Sequence, residues 1–302
     1  EDDVVADEPE APQTQKAIFA YGLNAAENPF STSNLVNSSG VVAANVTGVG
    51  TARRSLAASS YGGDKAFFAF GNSGGSTKVN TKNLVNNSGV VGADVSGVGT
   101  ARQNLASASY GGDKAIVAYG NSGSLSNLSN LVSNSGVVAT DTTGVGTARA
   151  DMAGVKYGSD KAIFAYGYSN QNLSLSNLVT SLGVVGTDVS GVGTARETQA
   201  APYGVDTAAA AYGQGDSGYL NVKNLINNSG VVGADVSGVG TARYGVGSAG
   251  YGGDKGIFAY GATGSILSMS NLMNNVGVIA ADVSGVGTAR RYGVAAGFSY
   301  SA

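Results

Sequence analysis

One six-residue string recurs along the chain at a nearly constant interval and constrains every fold it can adopt. GVGTAR ends at Arg53, Arg102, Arg149, Arg196, Arg243 and Arg290, at intervals of 49, 47, 47, 47 and 47 residues. An apolar string, KAIFAYG or a variant, begins at Lys16, Lys65, Lys114, Lys161, Thr207 and Lys255. An Asn-Leu pair begins at Asn34, Asn83, Asn130, Asn177, Asn224 and Asn271. Three motifs in fixed order at one period predict a repeat architecture.

Each repeat reads as four short β-strands. Between Arg53 and Arg102 the chain contains SLAASSYG, the turn GGD, then KAFFAFG, a polar loop, KNLVNN, the turn Ser88-Gly89, VVGADV and the turn SGVG. Short apolar segments separated by Gly-rich turns are typical of all-β folds. Helical periodicity is missing from the sequence, and 48 glycines also disfavour helix.

The apolar strand carries apolar residues on both of its faces. Ala66, Phe68 and Phe70 point to one side, whereas Phe67 and Ala69 point to the other. A sheet that is apolar on both faces must be covered on both. Four-stranded antiparallel sheets arranged radially satisfy this requirement, which predicts a β-propeller. A parallel β-helix is the rival fold, but its rungs are usually shorter than this period.

The two ends of the chain predict how the ring closes. The C-terminal TARRYGVAAGFSYSA stops with Phe298 at the place that Tyr61 and Tyr251 occupy in other repeats. The next element due is found at Lys16. We therefore predict that residues 15–302 form a six-bladed propeller closed by pairing of the N- and C-terminal strands. An open solenoid would expose two edges instead.

Composition excludes several classes of chemistry. The chain has no Cys and no His, which removes thiolate zinc sites, cysteine nucleophiles and Ser-His-Asp triads. Six of its 20 acidic residues lie in the first ten positions, and the rest of the chain contains 14 acidic and 17 basic residues. We interpret residues 1–14 as an acidic tail or linker. The nearly neutral remainder, without a basic stripe or a long apolar run, predicts neither a nucleic-acid partner nor membrane insertion. No cofactor and no metal are expected.

The repeat strings resemble those of known families. TAR, LAASSYG and KAFFAFG are similar to the first half of a kelch-type propeller repeat, although one Gly, not two, follows the aromatic strand and Trp is missing. Repeats of the regulator-of-chromosome-condensation type are a second option. YGGDKAIFAYG and NLVSNSGVVATDTTGVGTAR resemble repeat proteins encoded by marine bacteriophages, notably those of cyanobacteria. That resemblance covers residues 16–302 and implies a virion protein, such as a fibre, knob or adhesin.

Two sets of charged residues recur in the repeats. The six arginines of GVGTAR could form a positive ring around a channel mouth for anionic ligands, or serve as structural residues that bond loop carbonyls or a carboxylate. Recurrence in every copy favours the structural role. Aspartates before the last turn are interpreted as turn residues that cap their own backbone. They are Asp94, Asp141, Asp188, Asp235 and Asp282, with Asn45 in the first copy.

The connection between the aromatic strand and the Asn-Leu pair differs in every copy. Loops on a rigid scaffold commonly carry function. Phe30, Tyr168 and Tyr219 lie in three of these connections and are our candidate ligand-binding residues, able to stack on a sugar or dock a partner.

Three functions remain open on the sequence alone. The first is a non-enzymatic virion structural or attachment protein that uses the propeller as a display or host-binding platform, with other virion proteins or a host glycan or receptor as partners. Its tail could also mediate homo-oligomer formation. The second is an extracellular carbohydrate-binding lectin. A glycosidase is disfavoured, because no repeat contains a carboxylate pair and Glu197 and Asp216 have no evident partner.

Overall fold

The computed structural model describes residues 13–302, and every regular element in that part is a β-strand. The strands are β1 (Lys16–Ala20), β2 (Ser33–Val36), β3 (Ala57–Tyr61), β4 (Lys65–Ala69), β5 (Lys82–Val85), β6 (Ala106–Tyr110), β7 (Lys114–Ala118), β8 (Ser129–Val132), β9 (Ala153–Tyr157), β10 (Lys161–Ala165), β11 (Ser176–Val179), β12 (Glu197–Tyr203), β13 (Thr207–Gly215), β14 (Gly218–Ile226), β15 (Gly247–Tyr251), β16 (Lys255–Ala259), β17 (Ser270–Met273) and β18 (Val294–Phe298).

These strands form six antiparallel sheets of three strands each. Sheet 1 has the order β18-β1-β2, and sheets 2 to 6 take the remaining strands three at a time in chain order. In every sheet the strand that follows GVGTAR is at one edge and the aromatic strand is central. The repeats therefore fold as alike units, and six of them fit a propeller-like arrangement.

Sheet 1 is built from both ends of the chain, as the sequence predicts. Lys16 pairs with Phe298 and Ala20 with Val294, while the other edge of β1 pairs with β2. The equivalent pair in sheet 2 is Lys65 with Tyr61, so β18 occupies the place of β3. The C-terminal strand thus completes a sheet that the N-terminal strand begins.

The prediction of four-stranded sheets is wrong, because the fourth segment of each repeat does not form a continuous ladder. In sheet 2 this segment pairs with β5 at two isolated bridges, Val85 to Val91 and Lys82 to Val95, and not as a continuous strand. Between the bridges, two residues of β5 face three residues of the fourth segment. This extra residue is a bulge that interrupts the regular pairing.

The first strands of the six sheets contact one another in a closed cycle. Each of β3, β6, β9, β12, β15 and β18 contacts the next one, and β18 contacts β3. A narrow channel lies between them, lined by small residues such as Ser59, Ser109 and Gly154. The hydroxyl oxygens of Ser59 and Ser109 are 3.0 Å apart, so the neighbouring strands β3 and β6 also bond each other in the channel wall.

The core consists of six hydrophobic clusters, one at each junction between neighbouring sheets. At the junction of sheets 1 and 2, the Tyr21 ring meets the Phe68 ring edge to face, with centroids 5.3 Å apart. Phe68 is fully buried, and burial of such a side chain contributes about 1.5–3 kcal/mol. The apolar residues on both faces of the central strands are thus covered from both sides, as predicted.

The predicted acidic tail falls almost entirely on residues 1–12, outside the described residues. Gln13 and Thr14 line the end of the channel where the first strands finish, beside Ser60 and Ser109. In residues 13–302, no helix is long and apolar enough to cross a membrane.

Candidate functional site

The six repeated arginines are buried between sheets and are not exposed at a channel mouth. Each is at most 1% exposed. Arg196 shows the arrangement: its guanidinium carbon lies 4.4 Å from the Tyr166 ring of sheet 4. Its Nη2 donates to Asn224 Oδ1 at 2.8 Å and its Nε to the Tyr212 carbonyl at 3.0 Å, both in sheet 5. We name this arrangement the arginine clasp.

Left-handed backbone at the end of each aromatic strand shapes the clasp. Tyr212 has φ of 63° and Tyr166 has φ of 65°, a region that non-glycine residues seldom occupy. The turn directs the tyrosine ring beneath one arginine and its carbonyl oxygen toward another. The recurring aromatic-Gly dipeptide therefore links two successive junctions.

The repeated aspartates belong to the same clasp and do not cap their own turns, contrary to the sequence-based interpretation. Asp94 Oδ2 accepts bonds from the Thr51 hydroxyl at 2.6 Å and its backbone N–H at 2.9 Å. Asp94 Oδ1 accepts from Asn83 Nδ2 at 2.9 Å. Although burial opposes the effect, these bonds hold the pKa of Asp94 below its usual value. The Thr-Ala-Arg segment at the end of each GVGTAR string thus supplies one side of the contact between sheets, and the aspartate and asparagine of the following repeat supply the other.

The variable connections all lie at one end of the ring. Because central and first strands are antiparallel, each connection follows the end of a central strand that is level with the start of its first strand. Isolated bridges join these places, such as Arg54 to Asn72 and Ala150 to Tyr168. The six connections therefore share one face, which we name the variable face.

The three candidate ligand-binding residues lie on this face but not in one group. Phe30 is half-buried, with the Arg290 guanidinium carbon 4.8 Å from its ring. Tyr168 is 40% exposed and Tyr219 is 42% exposed. Tyr219 stacks on Tyr244 with ring centroids 4.9 Å apart and planes 13° apart.

Sheet 5 is the asymmetric part of the ring. β13 and β14 have nine residues each, whereas the equivalent β4 and β5 have five and four. The extension places Glu197, Gln214 and Tyr219 side by side across the three strands. Beyond them, Asp216 Oδ1 accepts a bond from Asn172 Nδ2 of sheet 4 at 2.6 Å.

A small cavity opens where the first strands begin, at the centre of the variable face. We name it the mouth cavity. It has a volume of about 40 Å³, and its lining includes Asn104, Asp151, Glu197, Gln199 and Tyr292. Main-chain bonds hold these positions, from Asp151 N–H to the Asn104 carbonyl at 3.1 Å and from Thr198 N–H to the Asp151 carbonyl at 3.2 Å.

Two carboxyl groups from different repeats share the mouth cavity. Burial raises the pKa of Asp151, although the bond donated by Asn104 Nδ2 opposes the rise. Burial and then the charge of Asp151 raise the pKa of Glu197. Burial likewise raises the pKa of Tyr292. The interpretation that Glu197 has no acidic partner is therefore wrong, because that partner, Asp151, belongs to a different repeat.

Sequence reasoning missed most of this cavity. Ser55, Asn104, Asp151 and Tyr292 each stand two residues after a repeated arginine. Alignment of the repeats at that offset would have shown a position whose residue type differs between copies. In the folded ring these positions lie close to the central axis. In the described part of the chain, no group of three or more acidic residues could hold a metal ion.

Comparison with known proteins adds no identification. Neither a protein-family model nor a curated protein sequence matches this chain.

Proposed function

We propose that this protein is a non-enzymatic structural or attachment protein of a bacteriophage virion, such as a fibre, knob or decoration. Its six sheets would form a closed propeller that acts as a rigid host-binding platform in the virion or outside cells. The phage assignment rests on the resemblance of the repeat strings. Its partners would be other virion proteins and a host-surface glycan or receptor, and the N-terminal tail could join copies of the chain.

The observation that carries this proposal is that repeated and variable residues occupy different places in the fold. Repeated polar residues, such as Arg196, Asn224 and Thr194, are engaged in contacts between sheets. Side chains that differ between repeats gather on one face. A scaffold of equal units with one variable face suits recognition on a rigid support.

The mouth cavity favours a non-enzymatic role. A glycosidase needs its two carboxyl groups on either side of the scissile bond. A water molecule needs about 10–15 Å³ of such space, so about 40 Å³ admits a few waters but not a sugar ring. The cavity that Asp151 and Glu197 share is therefore too small to hold a glycosidic bond between the two carboxyl groups.

A second candidate function is an extracellular carbohydrate-binding lectin. The exposed Tyr219 ring, held by its stack on Tyr244, favours it. The two functions are distinguished by mass spectrometry of purified phage particles and by binding of the purified chain to whole host cells and glycans. Presence in particles together with cell binding supports the attachment protein. Glycan binding by a protein missing from particles supports the lectin. A protein that is missing from particles and binds neither cells nor glycans would refute both functions.

A further inference from the structure

We propose that Tyr219 and Tyr244 form the base of a site for a neutral sugar unit of a surface glycan. This inference rests on the proposed host-binding function and names the chemistry of its ligand. It locates recognition at the junction of sheets 5 and 6 and not evenly around the ring.

The tyrosine pair presents an exposed aromatic surface that is already held in place. Tyr244 is 9% exposed, and its ring meets Tyr292 edge to face with centroids 5.8 Å apart. Tyr219 lies flat on this fixed ring and keeps 42% of its surface exposed. A rigid aromatic ring offers contact area at a low cost in conformational entropy. Apolar faces of sugar rings fit such a surface.

Polar side chains that could bond sugar hydroxyls lie beside the platform. Gln214 and Glu197 follow Tyr219 across the extended part of sheet 5. A few polar groups beside an apolar surface are what fix the orientation of a bound ligand. None of the other five sheets has strands long enough to build the same row.

Charge near the platform favours a neutral sugar over an acidic one. Asp151 and Glu197 occupy the neighbouring mouth cavity. The adjoining base, Arg291, already forms an ion pair with Glu27 through Nη2 and bonds the Tyr244 hydroxyl through Nη1. The carboxylate of a sialic acid or uronate would thus lie near two carboxyl groups of the protein. Arg291 could not compensate for their repulsion, because its guanidinium is already paired with Glu27.

The test compares two exposed tyrosines at opposite ends of the ring. Tyr300, which follows β18 at the end away from the variable face, is 41% exposed and so matches Tyr219 in exposure. The full chain, Tyr219→Ala and the matched control Tyr300→Ala are measured on arrays of neutral and acidic oligosaccharides, and affinities are then obtained by calorimetry. We expect neutral sugars to bind the natural chain, Tyr219→Ala to weaken them at least tenfold and Tyr300→Ala to leave them within twofold. Unchanged melting temperatures would show that both variants fold.

Three results would overturn this inference: equal losses in the two variants, stronger binding of acidic sugars, or no saccharide binding by a chain that still adheres to host cells. The last result would leave the proposed attachment function in place. A chain missing from particles and unable to bind cells would instead refute that function, whatever the array shows.

Discussion

Thr288 bonds Asn45, which stands 243 residues earlier in the chain. The Thr288 N–H donates to Asn45 Oδ1 at 3.0 Å, and Asn45 Nδ2 donates to the Thr288 hydroxyl at 2.7 Å. This is the arginine clasp that joins sheet 6 to sheet 1. At the other five junctions an aspartate occupies the place of Asn45, so the closing junction is the one whose clasp has no carboxylate.

Replacement of Asn45 by Asp should strengthen the closing junction. A carboxylate there would accept bonds from Thr288 and Asn34 and would face the buried Arg290 charge. We expect Asn45→Asp to raise the free energy of unfolding by about 0.5–1 kcal/mol in urea denaturation at pH 7. The reciprocal change Asp235→Asn should lower it by a similar amount. A loss of stability in Asn45→Asp would contradict this account of the closing clasp.

The clasp should require the arginine fork and not only its charge. Arg53 is fully buried and donates to the Thr81 carbonyl and to Asn83 Oδ1, whereas the adjacent Arg54 is only half-buried. Lysine cannot make both bonds from one planar group. We expect Arg53→Lys to cost about 2–4 kcal/mol of unfolding free energy and Arg54→Lys under about 0.5 kcal/mol. Equal effects in thermal denaturation would refute this role.

Two turn glycines have nearly the same φ but different surroundings. Replacing each by alanine therefore distinguishes the cost of backbone strain from the cost of steric crowding. Gly136 and Gly112 have φ of 75° and 78°. A Cβ on Gly136 would lie 2.8 Å from a Leu84 methyl carbon and 3.0 Å from the Tyr61 ring, whereas a Cβ on Gly112 meets no atom within 4 Å. Gly136→Ala should therefore destabilise the fold by about 1–3 kcal/mol more than Gly112→Ala, measured by chemical denaturation. Matching losses would show that no crowding exists at Gly136.

The mouth cavity should make stability fall as pH rises toward neutrality. Burial raises the pKa of Asp151 to about 6 and that of Glu197 to about 7, so the folded protein binds protons that the unfolded chain has released. The stability they contribute is complete below the ordinary carboxyl pKa near 4 and is lost as pH rises through the raised values.

The double variant Asp151→Asn, Glu197→Gln tests this dependence. It should be more stable than the natural chain at pH 7 by about 1–3 kcal/mol, with little difference near pH 4. Melting temperatures measured across that range provide the comparison. A natural chain whose stability rises steadily from pH 4 to pH 7 would contradict the prediction. The clasp aspartates act in the opposite direction, since their lowered pKa values remove stability only as pH falls below 4.

An engineered disulfide can test the closure of the ring, because the natural chain has no cysteine. Ala20 pairs with Val294 across β1 and β18. Cysteines at these two positions should form a bond within one chain on mild oxidation, seen as a faster-migrating monomer on a non-reducing gel. Oxidised species that are only linked oligomers would show that the two strands do not pair within one molecule.

Most of the fold could be predicted from the period of the sequence and from its ends. The strand at Lys65, its GGD turn and the pairing of Lys16 with Phe298 follow from alignment of the repeats. The fourth strand could not be judged in this way, because alternating apolar residues such as Val91 and Val95 do not reveal a one-residue mismatch with the facing strand. The inter-sheet role of Asp94 was missed for a similar reason, since its partner Thr51 belongs to the previous repeat.

The candidate site was predicted less well than the fold. Tyr219 was selected because its connection is variable, and its stacking partner Tyr244 comes from the next sheet. Asp151 and Glu197 are 46 residues apart and meet only because the ring brings successive sheets to one axis. Proximity of this kind depends on the closed geometry and is invisible within any single repeat.

The chain enters sheet 1 from the end of the channel opposite the variable face. Gln15 N–H donates to the Ser299 carbonyl at 2.7 Å just before β1 begins. A pull on the chain ahead of Gln13 would load β1 along its length, against five register pairs with β18 and four with β2 at once. Such shear distributes force over many bonds at once, so tension applied through this end would not unzip the ring one pair at a time.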